Sequence, residues 1–384
     1  MNILRYLDQP WIPKSIRTVR NLSAQTDIQR ILIIKWGAMG DVMVSTAALN
    51  DIRAAFPHAH ITLNTMSAFE HFFKDDPRLN EVFSVDLRGK ERGWRGMLRW
   101  LQKVRTGRYD LVIDLQSVDR TRMMLGLLQL TGRGIRYRVG NNPGWPYNIT
   151  PPTLPLDTQG FIRLRATLTA AGIPSNTELP KPYVAESHQQ SITALMAEHG
   201  LKEGEFAVML PGCQAAGYLK RWGAERYAAL GQKLVASALG GIKKIVIVGG
   251  PDEIEDCRAI AELCGDCAVN LCGKTALLDL PPLCASARCI VGNDTGTAQM
   301  LTMTGTPMLT LFGPTDPRRA KPIGRHVIAL QVDIAYMPCL NCHCKAPCGH
   351  QSCMKAITPE RAFEEIMAML HDVNSALDIQ PPLH

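Results

Sequence analysis

The residues best suited to chemistry form a short polar turn, Asn293-Asp-Thr-Gly296. The preceding segment, Arg288-Cys-Ile-Val-Gly292, is an apolar run typical of a buried strand, and an apolar helical pattern follows from Ala298. A strand that turns directly into a helix leaves backbone N–H groups free at the helix start, where they and the helix dipole favour an anion. Asp294 is the expected N-cap, and Gly296 allows close approach of a ligand. Alone, the turn fits a nucleotide-diphosphate site and an ordinary connection equally well.

A second polar turn, Lys35-Trp-Gly-Ala-Met-Gly-Asp41, also lies between a predicted strand and a predicted helix. The two glycines permit a tight turn that brings Asp41 to the helix start. A carboxylate there can cap the helix or act as a general base, and position alone favours the cap. The turn lacks the third glycine of a dinucleotide fingerprint, and the next strand carries Asn64 in place of an acid. A nicotinamide-dependent enzyme is therefore not expected.

Strands and helices alternate in both halves of the chain, which predicts two parallel sheets covered by helices. The pattern predicts an α/β protein of two Rossmann-like domains with a cleft at the carboxyl ends of both sheets. Predicted strands cover residues 30–35, 61–65, 111–115, 206–210, 244–250, 289–291 and 307–312, and predicted helices cover residues 41–56, 161–171 and 359–372. The expected division is an N-terminal extension (1–27), a first domain (28–180), a second domain (181–357) and a C-terminal helix and tail (358–384).

The composition is that of a globular protein, with 46% hydrophobic and 20% charged residues among 384. Neither a membrane-spanning run nor a signal peptide is recognisable, so a cytoplasmic location is expected. Residues 88–108 hold eight basic residues and one acid, with Trp94, Leu98, Leu101 and Val104 at helical spacing. This stretch fits an anionic membrane surface or glycolipid. For any single residue, a solvated helix whose apolar side packs on its own domain is the favoured alternative. No nucleic-acid-binding module is recognisable, and no nucleic-acid partner is expected.

Five cysteines cluster near the C-terminus with spacing that could hold zinc. They are Cys339, Cys342, Cys344, Cys348 and Cys353. The cluster lacks two separated C-x2-C pairs, so a reduced, locally packed cysteine loop is the favoured alternative, and the cluster is only a weak candidate for a metal site.

Four short motifs, in order along the chain, together resemble those of the glycosyltransferase family 9 heptosyltransferases. The motifs are Lys35-Trp-Gly-Ala-Met-Gly-Asp41, Pro211-Gly212 with Lys220-Arg-Trp222, Asn293-Asp-Thr-Gly296, and Phe312-Gly-Pro-Thr-Asp316. The resemblance implies a GT-B fold and an inverting transfer from a nucleotide sugar, typically ADP-heptose, without a metal or other cofactor. The expected acceptor is a lipid-linked anionic saccharide of the lipopolysaccharide inner core, reached at the cytoplasmic face of the inner membrane.

The same resemblance implies roles for individual residues. Asp41 corresponds to the general base, and Lys220 to the lysine that binds phosphate. The loop at the donor diphosphate corresponds to Asp294, Thr295 and Gly296, with Gly40 as a further donor-binding position. Glu253 corresponds to an acid near the donor nucleoside. Without the resemblance, Lys220 fits a solvated charge and Glu253 an acid in the first turn of a helix.

Two points stay open in the sequence. Many members of the family carry a histidine shortly after Asp-Thr-Gly, where this chain has Gln299, so a hexose donor is an alternative to heptose. A non-catalytic nucleotide-sugar or glycolipid-binding protein is a further alternative.

Arg120 and Arg122 are candidate acceptor-binding residues, because guanidinium groups suit carboxylates and phosphates.

Overall fold

The computed structural model describes residues 3–6, 17–86, 89–132, 134–213, 215–237, 240–334 and 351–378. The chain divides into two compact units. The first is Pro10–Tyr183, and the second joins Met1–Gln9 to Val184–His384. Each unit is built around one β-sheet.

The strands follow the apolar, β-branched runs of the sequence, because such residues pack well on both faces of a buried parallel sheet. In chain order they are β1 (Ile3–Tyr6), β2 (Arg30–Ile34), β3 (His60–Met66), β4 (Glu81–Val85), β5 (Leu111–Asp114), β6 (Tyr137–Gly140), β7 (Phe206–Leu210), β8 (Lys244–Ile247), β9 (Ala268–Asn270), β10 (Cys289–Asn293), β11 (Met308–Phe312) and β12 (Val327–Val332).

Helices alternate with these strands, as the sequence predicts. They are α1 (Met39–Ala55), α2 (Trp94–Gly107), α3 (Asp119–Leu130), α4 (Gly160–Ala170), α5 (Glu186–Glu198), α6 (Ala224–Ala236), α7 (Ile254–Cys264), α8 (Leu280–Ala285), α9 (Gly296–Leu301), α10 (Pro317–Ala320), α11 (Ser352–Lys355) and α12 (Pro359–Asp378). Short 3₁₀ turns lie at Ser67–Phe72, Ala215–Lys220, Pro251–Glu253, Gly265–Cys267, Leu277–Asp279 and Thr302–Thr304.

The first unit contains a parallel sheet in the order β4-β3-β2-β5-β6. The central strand β2 pairs Ile31 with Ile61 of β3 and with Leu111 of β5. Its core includes Leu32 and Trp100, both buried. The parallel strands β2, β4 and β5 are followed by α1, α2 and α3, and the carboxyl ends of these strands lie at the same edge of the sheet.

The second unit contains six parallel strands in the order β12-β11-β10-β7-β8-β9. Strand β1 adds to the free edge of β12 in the antiparallel direction, with Ile3 opposite Val332. The predicted strands of both halves are therefore present. No strand was predicted at residues 3–6. Their partner strand β12 lies more than three hundred residues further along the chain, so no local sequence pattern indicates the pairing.

Candidate active site

The end of β10 is fixed by the buried side chain of Asn293. Its Nδ2 donates to the Pro211 carbonyl oxygen at 2.6 Å, and its Oδ1 accepts from the Tyr227 hydroxyl at 3.1 Å. A buried amide without partners is costly, so these hydrogen bonds hold the turn after β10 beside the turn after β7. The Pro211-Gly212 and Asn293-Asp-Thr-Gly296 motifs therefore meet at one edge of the second sheet.

Asp294 does not cap α9, and the prediction that it does is wrong. The N-cap is Thr295, whose Oγ1 accepts from the backbone N–H of Ala298 at 3.3 Å. Asp294 Oδ2 instead accepts from Lys220 Nζ and from Thr315 Oγ1, both at 2.7 Å. Two long-range donors, one of them charged, stabilise a buried carboxylate more than a single local cap bond does.

Lys220 ends the 3₁₀ turn Ala215–Lys220 and brings a positive charge to the start of α9. Its side chain is 22% exposed, whereas that of Asp294 is 8% exposed. The ammonium is therefore anchored on a buried carboxylate and still reaches solvent. The first N–H groups of a helix have no partner within the helix, and Gly296 is the first residue of α9. A cation and helix-start N–H groups together suit a phosphate.

Glu253 lies against the Pro211-Gly212 turn. A Cβ atom at Gly212 would be 2.2 Å from Glu253 Cγ, so a glycine is needed for this close approach. The half-buried Glu253 carboxylate accepts from the backbone N–H of Gly250 through Oε2. The acid is thus held by its own loop, at the carboxyl edge of the second sheet and beside the turn that precedes Lys220.

Gln299 lies on α9 and is the residue that made a hexose donor an alternative to heptose. Its Nε2 donates to the Ala320 carbonyl oxygen at 2.6 Å. Ala320 is the last residue of α10, so this side chain links α9 to the segment that follows Phe312-Gly-Pro-Thr-Asp316. The Gln299 amide nitrogen is engaged with the protein backbone.

In the first unit, Asp41 is the third residue of α1 and is exposed. The N-cap of α1 is Ala38, and Asp41 makes no cap hydrogen bond within the described residues. Gly160, the first residue of α4, lies beside it: a Cβ atom there would be 3.7 Å from Asp41 Oδ1. The carboxylate is therefore available to a ligand at the carboxyl edge of the first sheet.

The loop that carries Asp41 is fixed by the neighbouring strands. Gln116, after β5, accepts at Oε1 from the backbone N–H groups of Trp36 and Gly37 at 3.1 and 3.2 Å. Asn64 of β3 accepts at Oδ1 from the Trp36 indole at 2.7 Å. Gly37 has φ of +148°, a conformation that favours glycine. The start of the loop that leads to Asp41 is thus held by one residue of β3 and one residue that follows β5.

A buried lysine and a buried aspartate lie at the end of this sheet. Burial lowers the pKa of Lys35, opposed by the charges of Asp41 and Asp114. Burial raises the pKa of Asp114, opposed by hydrogen bonds that its carboxylate accepts from Ser117, Thr121, Tyr147 and Gln116. Sequence reasoning did not select either residue. The available signal was a charged residue at the end of an apolar strand, which is rarely buried without a reason.

Arg120 and Arg122 both lie on α3 and are half-buried. Arg122 Nη2 donates to the carbonyl oxygens of Pro143 and Trp145 at 3.2 and 3.3 Å, and its guanidinium lies 5.5 Å from the Tyr147 ring centroid. It thereby holds the proline-rich loop after β6. Arg120 makes no such contact among the described residues. It is the second residue of α3, the helix that follows β5 in the same sheet as β2.

Helix α2 holds four of the basic residues of the stretch, whereas Lys90, Arg92 and Arg108 lie just outside it and Arg88 lies outside the described residues. Leu101 and Val104 are buried in the first unit, whereas Trp94 is 64% and Leu98 50% exposed. The basic side chains of the stretch that are exposed are Lys90, Arg92, Arg95, Arg99, Lys103, Arg105 and Arg108. One side of α2 therefore packs on its own unit, while its exposed surface presents cations and two large apolar side chains. Contact of that surface with an anionic membrane or glycolipid stays a prediction.

Most of the cysteine cluster lies outside the described residues, namely Cys339, Cys342, Cys344 and Cys348. Cys353, on α11, is buried in the core of the second unit. Within the described ranges, no group of three or more His, Cys, Asp or Glu side chains is arranged to hold a metal ion. None of the helices in those ranges is long and apolar enough to cross a bilayer.

Comparison with known proteins agrees with these features. The chain is 26% identical over 355 residues to lipooligosaccharide heptosyltransferase 2 of Haemophilus influenzae, covering 88% of this chain and 99% of that protein. The glycosyl transferase family 9 structure from Veillonella parvula superposes with a TM-score of 0.74 at 20% identity, covering 91% of this chain and 99% of that one. The E. coli ADP-heptose LPS heptosyltransferase II structure superposes with a TM-score of 0.65 at 22% identity, covering 90% of this chain and 100% of that one.

The two structural likenesses confirm the predicted GT-B class of two Rossmann-like α/β domains. The sequence model of glycosyltransferase family 9 (heptosyltransferase) matches residues 97–350, which is more than half of the chain. The matched range includes Lys220, Asp294 and Thr315, the residues that meet at the start of α9. This chain therefore belongs to glycosyltransferase family 9, the heptosyltransferase family.

Proposed function

We propose that this protein transfers heptose from ADP-heptose to a lipid-linked, anionic saccharide of the lipopolysaccharide core, with inversion at the anomeric carbon. The observation that carries the proposal is the Lys220–Asp294–Thr315 network at the start of α9. It places one accessible ammonium beside the N–H groups at the start of α9, which suits a diphosphate. ADP-heptose is named for the E. coli relative, which supports the same donor here.

Asp41 acts as the general base in this proposal. Its exposed carboxylate takes the proton from the acceptor hydroxyl as that oxygen attacks the anomeric carbon. The new C–O bond forms on the face opposite the bond to the diphosphate, which breaks and leaves its electron pair on ADP. One displacement of this kind inverts the configuration of the anomeric carbon. Gly40, which precedes Asp41 in the first turn of α1, is a further donor-binding position in this proposal.

Charge on the leaving diphosphate grows as the bond breaks. Lys220 and the N–H groups around Thr295 and Gly296 stabilise that charge more in the transition state than in the ground state. These groups supply the role that a divalent cation fills in other transferases, so the proposed reaction needs no metal. Glu253, fixed against Gly212, contacts the donor nucleoside in this account.

The acceptor binds the first unit in this proposal. Arg120 recognises an acidic group of the saccharide, while Arg122 supports the loop beside it. The exposed side of α2 rests on the anionic surface of the inner membrane, with Trp94 and Leu98 among the headgroups. Both features lie on helices that follow strands of the sheet that also precedes Asp41, which suits a lipid-linked acceptor.

The test is product formation with defined donors. Purified protein is incubated with a core acceptor and, separately, with ADP-heptose, ADP-glucose, GDP-mannose and UDP-glucose. We expect ADP release and a new glycoside with ADP-heptose, and an inverted anomeric configuration by NMR. Turnover with a hexose donor alone would replace heptose as the sugar. Binding of donor and acceptor without any product would support the non-catalytic alternative and overturn the proposal.

A further inference from the structure

A glycine lies directly beside the proposed base. Gly160 is the first residue of α4, and a Cβ atom at this position would be 3.7 Å from Asp41 Oδ1, which is van der Waals contact. Apart from its neighbours in the chain and the backbone of its own helix, no other atom of the described residues lies within 4 Å of that point. The space left by the missing side chain is therefore bordered by the Asp41 carboxylate and is otherwise open.

The fold does not require a glycine at this position. Gly160 does not have a positive φ, unlike Gly37, so a residue with a side chain can adopt the same backbone conformation. Packing does not exclude a side chain either, whereas at Gly126 a Cβ atom would be 2.3 Å from the Trp145 ring. Gly160 is also exposed. A side chain here would therefore change the surroundings of Asp41 and little else.

The backbone at the start of α4 is held in place by its surroundings. Arg163 Nε donates to the Thr158 carbonyl oxygen at 3.1 Å, and the backbone N–H of Thr158 donates to the Pro155 carbonyl oxygen at 3.0 Å. Phe161, the residue after Gly160, is buried. Helix α4 also packs against α1, the helix of the proposed base. The opening beside the carboxylate is therefore a defined part of the first unit.

A sugar hydroxyl needs such an opening to reach the base. The base must lie about 3 Å from the hydroxyl oxygen, and the ring atoms that carry this hydroxyl then lie close to the carboxylate as well. We propose that Gly160 lines the acceptor subsite and is a specificity-determining residue, because its bare backbone admits a saccharide ring beside Asp41. This inference rests on the proposed role of Asp41 as the base. The competing explanation is that a side chain at this position would act on the carboxylate itself, by removing water from it.

The test compares Gly160→Ala, Gly160→Val and Gly160→Leu with the wild type, using ADP-heptose and a deacylated core saccharide as acceptor. We expect kcat/KM for the acceptor to fall by about threefold in Gly160→Ala and by about 10- to 100-fold in the two larger variants, because added carbons overfill the subsite. Donor binding, measured by thermal shift, should not change. The matched control is Gly132→Leu, at an exposed glycine of the same unit without positive φ, which should keep the kinetics of the wild type.

Stability and pH dependence separate the explanations. Gly160→Ala should raise Tm by about 1 °C, because alanine restricts the unfolded chain more than glycine does, and it should leave the acidic limb of the pH–rate profile unmoved. A lower Tm would show that the fold needs the glycine, and a limb moved to higher pH would show that the side chain removes water from the carboxylate. Either result, or unchanged acceptor kinetics in Gly160→Leu, would overturn the role of Gly160. Unchanged turnover in Asp41→Asn would instead remove the base, whatever the Gly160 variants show.

Discussion

The Lys220 ammonium lies 2.7 Å from Asp294 Oδ2, and this pair joins two motifs that are 74 residues apart in the chain. Asp294 is buried and Lys220 is not, so the carboxylate fixes the lysine and the lysine remains accessible. Thr315 donates to the same oxygen and connects a third motif. One carboxylate therefore orients the cation proposed to bind the leaving diphosphate.

Replacing Lys220 tests that cation directly. Lys220→Met should weaken donor binding and lower kcat/KM by about 10²- to 10³-fold, because charge on the leaving group loses its main counter-charge. The matched control is Lys243→Met, which removes an equal charge from an exposed lysine that is paired with Glu205. Steady-state kinetics with varied donor gives both values. Equal, small effects of the two variants would show that Lys220 does not contact the diphosphate.

Thr315 and Thr310 provide a matched pair of buried threonines. Thr315 Oγ1 donates to Asp294, whereas Thr310 Oγ1 has no hydrogen-bond partner in the described structure. Thr315→Val should lower the free energy of unfolding by about 1 kcal/mol and raise the donor KM. Thr310→Val should be neutral or stabilising, because it removes an unsatisfied hydroxyl. Urea denaturation measures the free energy of unfolding of both variants. A larger loss in Thr310→Val than in Thr315→Val contradicts the proposed network.

Asp114 predicts a specific pH dependence of stability. Burial raises its pKa in the folded state, so the folded protein binds this proton more tightly than the unfolded chain. The contribution of Asp114 to stability is therefore highest at low pH. It falls as the pH rises from about 4, the unfolded value, through the raised folded value.

The comparison of wild type with Asp114→Asn isolates this group, because other titrations cancel in the difference. The variant should gain stability relative to wild type as the pH rises, by about 1.4 kcal/mol for each unit by which the pKa is raised. Urea denaturation between pH 4.5 and 8 provides the values. A relative loss by the variant over that range would mean that the folded state favours the ionised carboxylate.

The exposed side of α2 predicts binding to anionic vesicles. Arg95→Glu/Arg99→Glu should reduce co-sedimentation with phosphatidylglycerol vesicles by about tenfold or more, at about 1 kcal/mol for each basic residue near the surface. Lys243→Glu/Arg258→Glu makes the same change of charge at exposed positions of the second unit. Phosphatidylcholine vesicles should bind weakly in every case. Equal losses for both double variants would assign the effect to net charge alone.

The sheets were largely predictable, because apolar β-branched runs define buried parallel strands whatever surrounds them. The N-cap residue of α9 was not predictable from the sequence. Asp294 and Thr295 are both good N-cap residues, and the choice depends on Lys220 and Thr315, which lie far away in sequence. Local pattern cannot rank two adjacent cap residues when a distant cation decides between them.

The candidate site shows the same limit. Position alone favoured a helix cap for Asp41, and its role as a base was predicted only through the family resemblance. The loop before it is held by Gln116 and Asn64, which lie after β5 and on β3. In α2, helical spacing placed Trp94, Leu98, Leu101 and Val104 on one stripe. Only packing shows that the last two are buried and the first two exposed. Spacing gives a face, whereas the neighbouring elements determine which part of it is covered.

Turnover of Asp41→Asn with ADP-heptose and a core acceptor tests the central claim most directly. The substitution keeps the size of the side chain and removes the base. We expect donor binding, measured by thermal shift, to be retained and kcat to fall by about 10²- to 10⁴-fold. A kcat equal to that of the wild type, in a variant that binds the donor equally well, would contradict Asp41 as the base.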